Sequence, residues 1–224
     1  MFLTRARLRR DRGLEPLAAL LLPQGGDARV DIGHRLVWTL FGDTADRRRD
    51  FLWREQEPGV FLLLSARVPE DRAGLFALDP PKPFAPLLAT GDRLAFLLRA
   101  NAVVARSSGP DIRGKRQDVV ADALARLPVA ERAERRREVL GEAANGWLAR
   151  QGAAGGFRPV GEVAVEGDEW RRIRREGNKP ITFNVLDFAG RLEVTEPDKF
   201  LPALARGFGR AKAFGCGLML IRRT

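Results

Sequence analysis

Apolar and polar residues alternate over positions 2–8, where Phe2, Ala6 and Leu8 stand among Thr4, Arg5 and Arg7. That period of two predicts a first strand. Residues 14–22 are apolar and end in the loop Pro23-Gln24-Gly25-Gly26. A helical stripe follows, Val30, Leu36, Val37, Leu40 and Phe41, with Asp27 or Asp31 as its cap and Gly42-Asp43 as its stop. Arg47-Arg48-Arg49-Asp50 reads as a charged loop. Residues 51–56 and 60–68 predict two strands joined by the turn Glu57-Pro58-Gly59. Residues 71–78 read as a short helix. Pro80-Pro81-Lys82-Pro83 breaks the chain, and residues 84–88 read as an edge strand. The order is β-α-β-β-α-β over residues 1–90.

Gly91-Asp92 opens a second unit, residues 91–224. Its expected elements are a long apolar strand (93–104), a cationic loop (106–117), helices (118–127 and 129–151), a flexible glycine stretch (152–156) and a strand (157–165). A polar, basic segment (169–179) and a strand within 181–194 come next. A helix from Asp198 to about Gly207 and a last strand (218–222) close the chain. The order β-α-β-β-α-β recurs, as a repeat of element order and not of sequence. The expected class is therefore α+β, two tandem ferredoxin-like domains.

Charge sharpens this picture. The 39 basic against 29 acidic side chains leave a net charge of +10, a balance that favours polyanionic partners. The basic residues are mostly arginine, whose guanidinium forks onto phosphate and stacks on bases. One cysteine, Cys216, excludes an internal disulfide and a cysteine-based zinc site; one histidine excludes multi-histidine metal sites. The expectation is a cytoplasmic protein with no metal, no cofactor and no membrane segment. Glu162, Glu166, Asp168 and Glu169 form an acidic run, but strand alternation divides them between two faces.

Two stretches carry candidate chemistry. His34, on the first helix, is the side chain that takes and gives protons near neutral pH. Near the end, Gly207-Phe208-Gly209 and Gly215-Cys216-Gly217 bracket a segment with Arg210 and Lys212. Such a loop either offers backbone N–H groups and positive charge to a phosphate or lets a helix and a strand pack closely. It is neither a Walker loop, lacking Gly-Lys-Ser/Thr, nor a dinucleotide fingerprint, since it joins helix to strand.

The spacing of those glycines, ahead of a final strand, resembles the glycine-rich loop of the RAMP superfamily of CRISPR-associated proteins. The whole chain is most similar to the CasE-type endoribonucleases, the repeat-processing subunits of type I-E Cascade. The likeness is carried by strand 2–8, the stretch Gly33-His34-Arg35-Leu36-Val37-Trp38-Thr39-Leu40-Phe41, the segment Phe51-Leu52-Trp53-Arg54, the run Phe96-Leu97-Leu98-Arg99-Ala100-Asn101 and the closing loop. The resemblance implies two ferredoxin-like domains and metal-free cleavage of a CRISPR repeat hairpin. It implies products with 2′,3′-cyclic phosphate and 5′-OH ends, retained by a protein that stays bound to crRNA and to the other Cascade subunits. The free protein is expected to be a monomer. His34 matches the position of the family's catalytic histidine, as general base on the 2′-OH or general acid on the leaving oxygen. Family members carry a tyrosine three residues earlier. Here that place is Asp31, and the chain has no Tyr. Asp31 either orients the imidazole or caps the helix. The alternative to catalysis is a structural RNA-binding subunit of the same complex.

The resemblance also implies a basic element that contacts the RNA stem. Arg171, Arg172, Arg174, Arg175 and Lys179, placed around the turn signal Gly177-Asn178, are the candidates. Arg35 is a weaker candidate, because neighbours on a helix do not share a face. Gly207, Gly209, Arg210, Lys212, Gly215 and Gly217 complete the expected RNA contacts. Trp170 stands ready to stack on a base, while Trp38, Trp53 and Trp147 fall on apolar patterns and read as core.

Overall fold

A computed structural model describes residues 1–10, 21, 23, 25–42, 48–107, 114–175 and 178–224. Most of the apolar run 14–22, the expected stop at Asp43, Arg47 at the start of the loop 47–50 and the centre of the loop 106–117 lie outside them. The elements are β1 (Phe2–Leu8), α1 (Gly26–Thr39), β2 (Phe51–Glu57), β3 (Val60–Ser65), β4 (Phe76–Leu78), β5 (Lys82–Pro83), β6 (Arg93–Ala100), β7 (Val103–Arg106) and β8 (Lys115–Asp118). They continue with α2 (Val119–Leu124), α3 (Arg136–Gly155), β9 (Phe157–Arg175), β10 (Asn178–Val194), α4 (Pro197–Arg206) and β11 (Met219–Arg223).

Two antiparallel sheets organise the chain. The first has the order β2-β3-β1-β4, with β5 also beside β1; the second has the order β11-β6-β10-β9. Both are the ferredoxin-like arrangement, in which each crossover brings a strand back two places away. In the first sheet, α1 covers one face. Leu36, Val37, Leu40 and Phe41 pack on Ala6, Phe51, Trp53, Phe61 and Leu63. Gly33 allows this approach, since a Cβ there would stand 3.1 Å from the Trp53 ring. In the second sheet, α2, α3 and α4 bury Val120, Trp147, Leu148, Phe200 and Leu204 against Phe96, Leu98, Phe188 and Leu192. Each such side chain contributes roughly 1.5–3 kcal/mol of transfer free energy.

The opposite faces meet each other. Because side chains alternate along a strand, Leu52 points away from the Trp53 layer and joins Leu64 and Leu218 in a cluster between the sheets. Arg54 of β2 and Arg99 of β6 both reach Asp187 of β10, at 3.2 Å and 2.9 Å. The two sheets are thus joined by an apolar seam and a shared carboxylate.

Several expectations change in the structure. Residues 71–78 form a turn and β4, not a helix. The Asp71 carboxylate accepts from the Leu75 and Phe76 amides, at 3.0 and 2.8 Å, which closes a tight turn where a helix would need a longer run. The first sheet therefore keeps the ferredoxin-like strand order with a turn in place of the second helix. Residues 84–88 are not a strand; pairing with β1 stops at Pro83, after which Pro86 also lacks a donor. The strand expected over 93–104 breaks after Ala100 and restarts as β7. The helix expected over 129–151 is a 3₁₀ turn, Val129–Glu131, and then α3. Gly152 and Gly155 are not a flexible stretch but part of α3. A Cβ on Gly152 would stand 2.5 Å from the Phe157 carbonyl, so glycine here serves close packing.

The basic segment 169–179 is the outer half of a long hairpin. β9 has 19 residues and β10 has 17. Leu186 pairs with Gly167 and Val185 with Glu169, so Asp168 is an extra, bulged residue with φ of 70°. Its carboxylate accepts from Arg136 and Asn184. Among the described residues, no helix is long and apolar enough to cross a membrane. Among the described residues, no three His, Cys, Asp or Glu side chains gather as a metal site would need.

Candidate active site

His34 lies where the two halves touch. The α1 backbone holds it one residue from Gly33, which is pressed onto Trp53. Its ring meets Phe214, from the 3₁₀ turn Lys212–Phe214, with centroids 5.4 Å apart, and Trp38 edge-on at 6.4 Å. The backbone of Ala213 acts on the imidazole and favours its charged form. The Ala213 carbonyl also accepts from the Trp53 indole, at 3.1 Å. One ring nitrogen, Nδ1, is buried without a hydrogen-bond partner.

Burial lowers the His34 pKa below its ordinary 6.5. The Ala213 backbone and the Asp31 charge oppose this, and the charges of Arg49 and Arg35 add to it. The imidazole is therefore neutral at pH 7, the form that accepts a proton. If His34 is the base, the single-turnover cleavage rate rises with pH and levels off below 6.5. A rate that falls across the same range assigns it the acid role. Stability follows the same sign. The unfolded chain binds this proton more readily, so the contribution is fully present above 6.5 and is lost as pH falls from there through the lower folded-state pKa.

Asp31 does not take the expected role of helix cap. The N-cap is Gly25, and no side chain caps the helix; Asp31 sits in the second turn. There its carboxylate accepts from Arg35 Nη2 at 2.8 Å, an i,i+4 pair on an exposed surface. It acts on His34 through its charge. Arg35 is exposed and points away from the buried face of α1.

The glycine-rich loop closes the site from the other side. Gly207, Gly209, Gly215 and Gly217 have φ between 72° and 93°, a region that favours glycine. A Cβ on Gly209 would stand 2.6 Å from the Asn101 carbonyl, and one on Gly207 would stand 2.7 Å from Leu52. The amides of Gly207, Phe208, Arg210, Phe214 and Gly217 all donate to carbonyls of the chain itself. Of the two readings of this loop, close packing accounts for the glycines. What it presents outward is charge: Arg210 is exposed, and Lys212 is half-buried with its Nζ donating to the Arg206 carbonyl at 2.7 Å. Cys216 is buried, and its thiol pKa is pushed up to about 12, so it stays protonated.

Arg49 is the residue that sequence reading passed over, as one arginine of a charged loop. Its guanidinium Nη1 is buried without a partner, and its charge falls on both His34 and Lys212. The available signal was its place, just before a buried strand on the same sheet as the histidine-bearing helix.

The hairpin supplies a second surface beside the first. Ile173, Phe183 and Val185 pack inward with Cys216, Val30 and Phe214. Strand alternation then sends Trp170, Arg172, Arg174 and, across the ladder, Thr182 to the other, exposed face. Arg171 turns inward; its guanidinium lies against Gly26 and pairs with Glu169. Arg175 ends β9 opposite Asn178, Lys179 is exposed, and residues 176 and 177 lie outside the described ones. A cleft of about 1080 Å³ runs between the start of α1 and β9, lined by Gly25, Asp31, Trp170, Arg172 and Arg174 among others.

Comparison with known proteins agrees with this geometry. A family model described as "CRISPR associated protein" matches residues 1–223. The chain belongs to this CRISPR-associated family. The CRISPR-associated endoribonuclease Cse3 of Thermus thermophilus is 32% identical over 226 residues, covering 90% of this chain and 96% of its own. Among solved structures, a Cse3 bound to 19-nt RNA superposes with a TM-score of 0.67 at 29% identity, over 99% of this chain and 100% of that one. Thermus thermophilus Cse3 bound to an RNA representing a pre-cleavage complex gives 0.67 at 28% identity, over 99% and 98%. The CRISPR-associated protein Cas6e of Escherichia coli K-12, at 20% identity and a TM-score of 0.64, shares the fold over the full length of both chains. The CRISPR-associated fold here is thus the two-sheet ferredoxin-like one.

Proposed function

We propose that this chain is the endoribonuclease that cuts precursor CRISPR RNA at the 3′ base of each repeat hairpin and remains bound to the product as a subunit of Cascade. The observation that carries the reading is His34, held neutral by burial at a seam rimmed with cations, in a chain of this family. A neutral imidazole takes the proton of the ribose 2′-OH. The 2′-oxygen then attacks the adjacent phosphorus, the 5′-oxygen leaves and takes a proton from water, and the imidazolium returns its proton to solvent. The products carry a 2′,3′-cyclic phosphate and a 5′-OH. No step uses a metal ion, and DNA lacks the nucleophile. We assign residues 1–90 to the domain bearing His34 and 91–224 to the domain bearing the hairpin and loop; the two sheets draw their strands from these two spans. The site of action is the cytoplasm, where the precursor transcript is made.

The deciding experiment is cleavage of the host's own repeat hairpin RNA in EDTA. Cutting that is blocked by a 2′-deoxy substitution at the scissile nucleotide supports the mechanism. Binding without cutting leaves the structural-subunit reading, which the chain's lack of Tyr favours.

The RNA stem lies along the exposed hairpin face, with Arg172, Arg174 and Lys179 on its phosphates and Trp170 free to stack. Arg172→Ala and Arg174→Ala each are expected to weaken hairpin binding about equally for all stem sequences. Each should also flatten the log–log salt dependence by about 0.7–0.9. Filter binding across a salt series measures both, and an unchanged slope removes that arginine from the interface.

A further inference from the structure

Most arginines of this chain that approach the seam between the sheets have found a carboxylate. Arg29 pairs with Glu55, Arg54 and Arg99 share Asp187, and Arg67 takes Asp50. Arg49 is different. One oxygen of its neighbour Asp50 accepts from Arg67 at 2.8 Å and the other is buried without a partner, and among the described residues no carboxylate pairs with Arg49. Its Nη1 is nonetheless buried without a partner. A charged donor left in that condition is unfavourable, so the position suits an anion that arrives from outside.

The surroundings say where that anion sits. Arg49 stands two residues before Phe51, whose ring lies 5.1 Å from Trp38, and Trp38 meets His34. On the facing loop, Lys212 is two residues from Phe214, which touches the imidazole. The Lys212 stem is held in place over Gly217, where a Cβ would come within 3.1 Å of its Cγ. Its ammonium donates to the Arg206 carbonyl and has two further protons to give. Its pKa is lowered by burial and by the charges of Arg49, Arg206 and Arg210. Two cations, one from each half of the chain, therefore act beside the histidine, and among the described residues no carboxylate pairs with either.

We propose that Arg49 and Lys212 form the site for the scissile phosphate, donating to its non-bridging oxygens on either side of His34. What the anion is rests on the endoribonuclease reading; that a phosphate binds there does not. The extra negative charge of the phosphorane falls on those oxygens, so donors fixed in advance stabilise the transition state more than the ground state. Arg49 comes from the first half of the chain and Lys212 from the second, so the site exists only when the two halves are docked.

The single histidine makes the test direct, because its ring protons give one imidazole signal in NMR. The charged groups acting on that ring are Asp31, Arg35 and Arg49. Inorganic phosphate titrated into the wild-type protein should shift the His34 signal and raise its pKa. In Arg49→Ala and in Lys212→Ala the phosphate affinity should fall at least about tenfold, and Arg49→Ala alone should raise the His34 pKa without phosphate. Arg49→Lys should recover part of the affinity. In single-turnover cleavage, Arg49→Ala should be slower by about 10²–10³-fold, with affinity for a 2′-deoxy hairpin within about threefold of wild type. Added guanidinium ion should restore part of that rate, which a merely structural role would not allow. A His34 signal that ignores phosphate, or responds equally in the variants, overturns the proposal. A normal phosphate response in a wild-type protein that never cuts RNA overturns the endoribonuclease reading and leaves the anion site standing.

Discussion

His34→Ala is expected to slow single-turnover cleavage of the repeat hairpin by about 10²–10⁴-fold, the range that a positioned acid–base group supplies. Binding of a 2′-deoxy, uncleavable hairpin should change little. The imidazole sits between Phe214 and Trp38 at the seam, whereas the exposed hairpin face proposed to take the RNA stem is built by Trp170, Arg172 and Arg174. The loss therefore appears in the rate and not in the affinity. Electrophoresis of end-labelled RNA, with the cyclic phosphate identified on the product, measures it. Equal loss of rate and affinity would mean that His34 holds the seam together and does no chemistry. Residual cutting near the wild-type rate would move the base elsewhere.

Trp53→Ala is expected to destabilise the fold by about 3–5 kcal/mol, as large aromatic deletions in cores do. Trp53 is buried under α1. Its ring lies 5.7 Å from Phe61, supports Gly33 on one side and is 3.2 Å from where a Cβ of Gly215 would stand. The indole N–H also fixes the Ala213 carbonyl, and the Ala213 backbone acts on His34. Trp53→Phe separates the two roles. It keeps most of the apolar contact, drops the donor, and should lower the cleavage rate more than it lowers stability. Urea unfolding paired with single-turnover rates resolves the effects. If Trp53→Phe loses stability but keeps the wild-type rate, the indole hydrogen bond has no part in placing the histidine.

How far the sequence can be read depends on whether a signal is local. β1, the β2–β3 hairpin and the outer hairpin were legible because alternation and a Pro-Gly or Gly-Asn turn lie within a few residues. The helix bearing His34 was legible from its apolar stripe. Residues 71–78 misled, since Asp71 bonds two amides four and five residues on, and a turn of that kind has no periodicity. Asp31 misled for another reason: Gly25 caps the helix without a side chain, so an acid near the start was credited with the cap. The glycine loop showed its spacing but not its role. Only the tertiary structure reveals that Gly209 faces the Asn101 carbonyl more than a hundred residues away. Arg49 was invisible for the same cause, because a missing partner is a property of the folded surroundings.

The second sheet ends at β9, whose outer edge is unpaired. A strand of 19 residues with a free edge is a template on which another chain could add itself. Here the exposed positions along that strand carry Arg158, Glu162, Glu166, Glu169, Arg172 and Arg174, and the bulge at Asp168 bends it part-way. Charge and bend together spoil the flat, apolar edge that sheet-to-sheet aggregation requires. Charged side chains at these positions, arginines among them, thus disfavour pairing along this edge. Apolar side chains in their place would leave a long edge open to pairing with another strand.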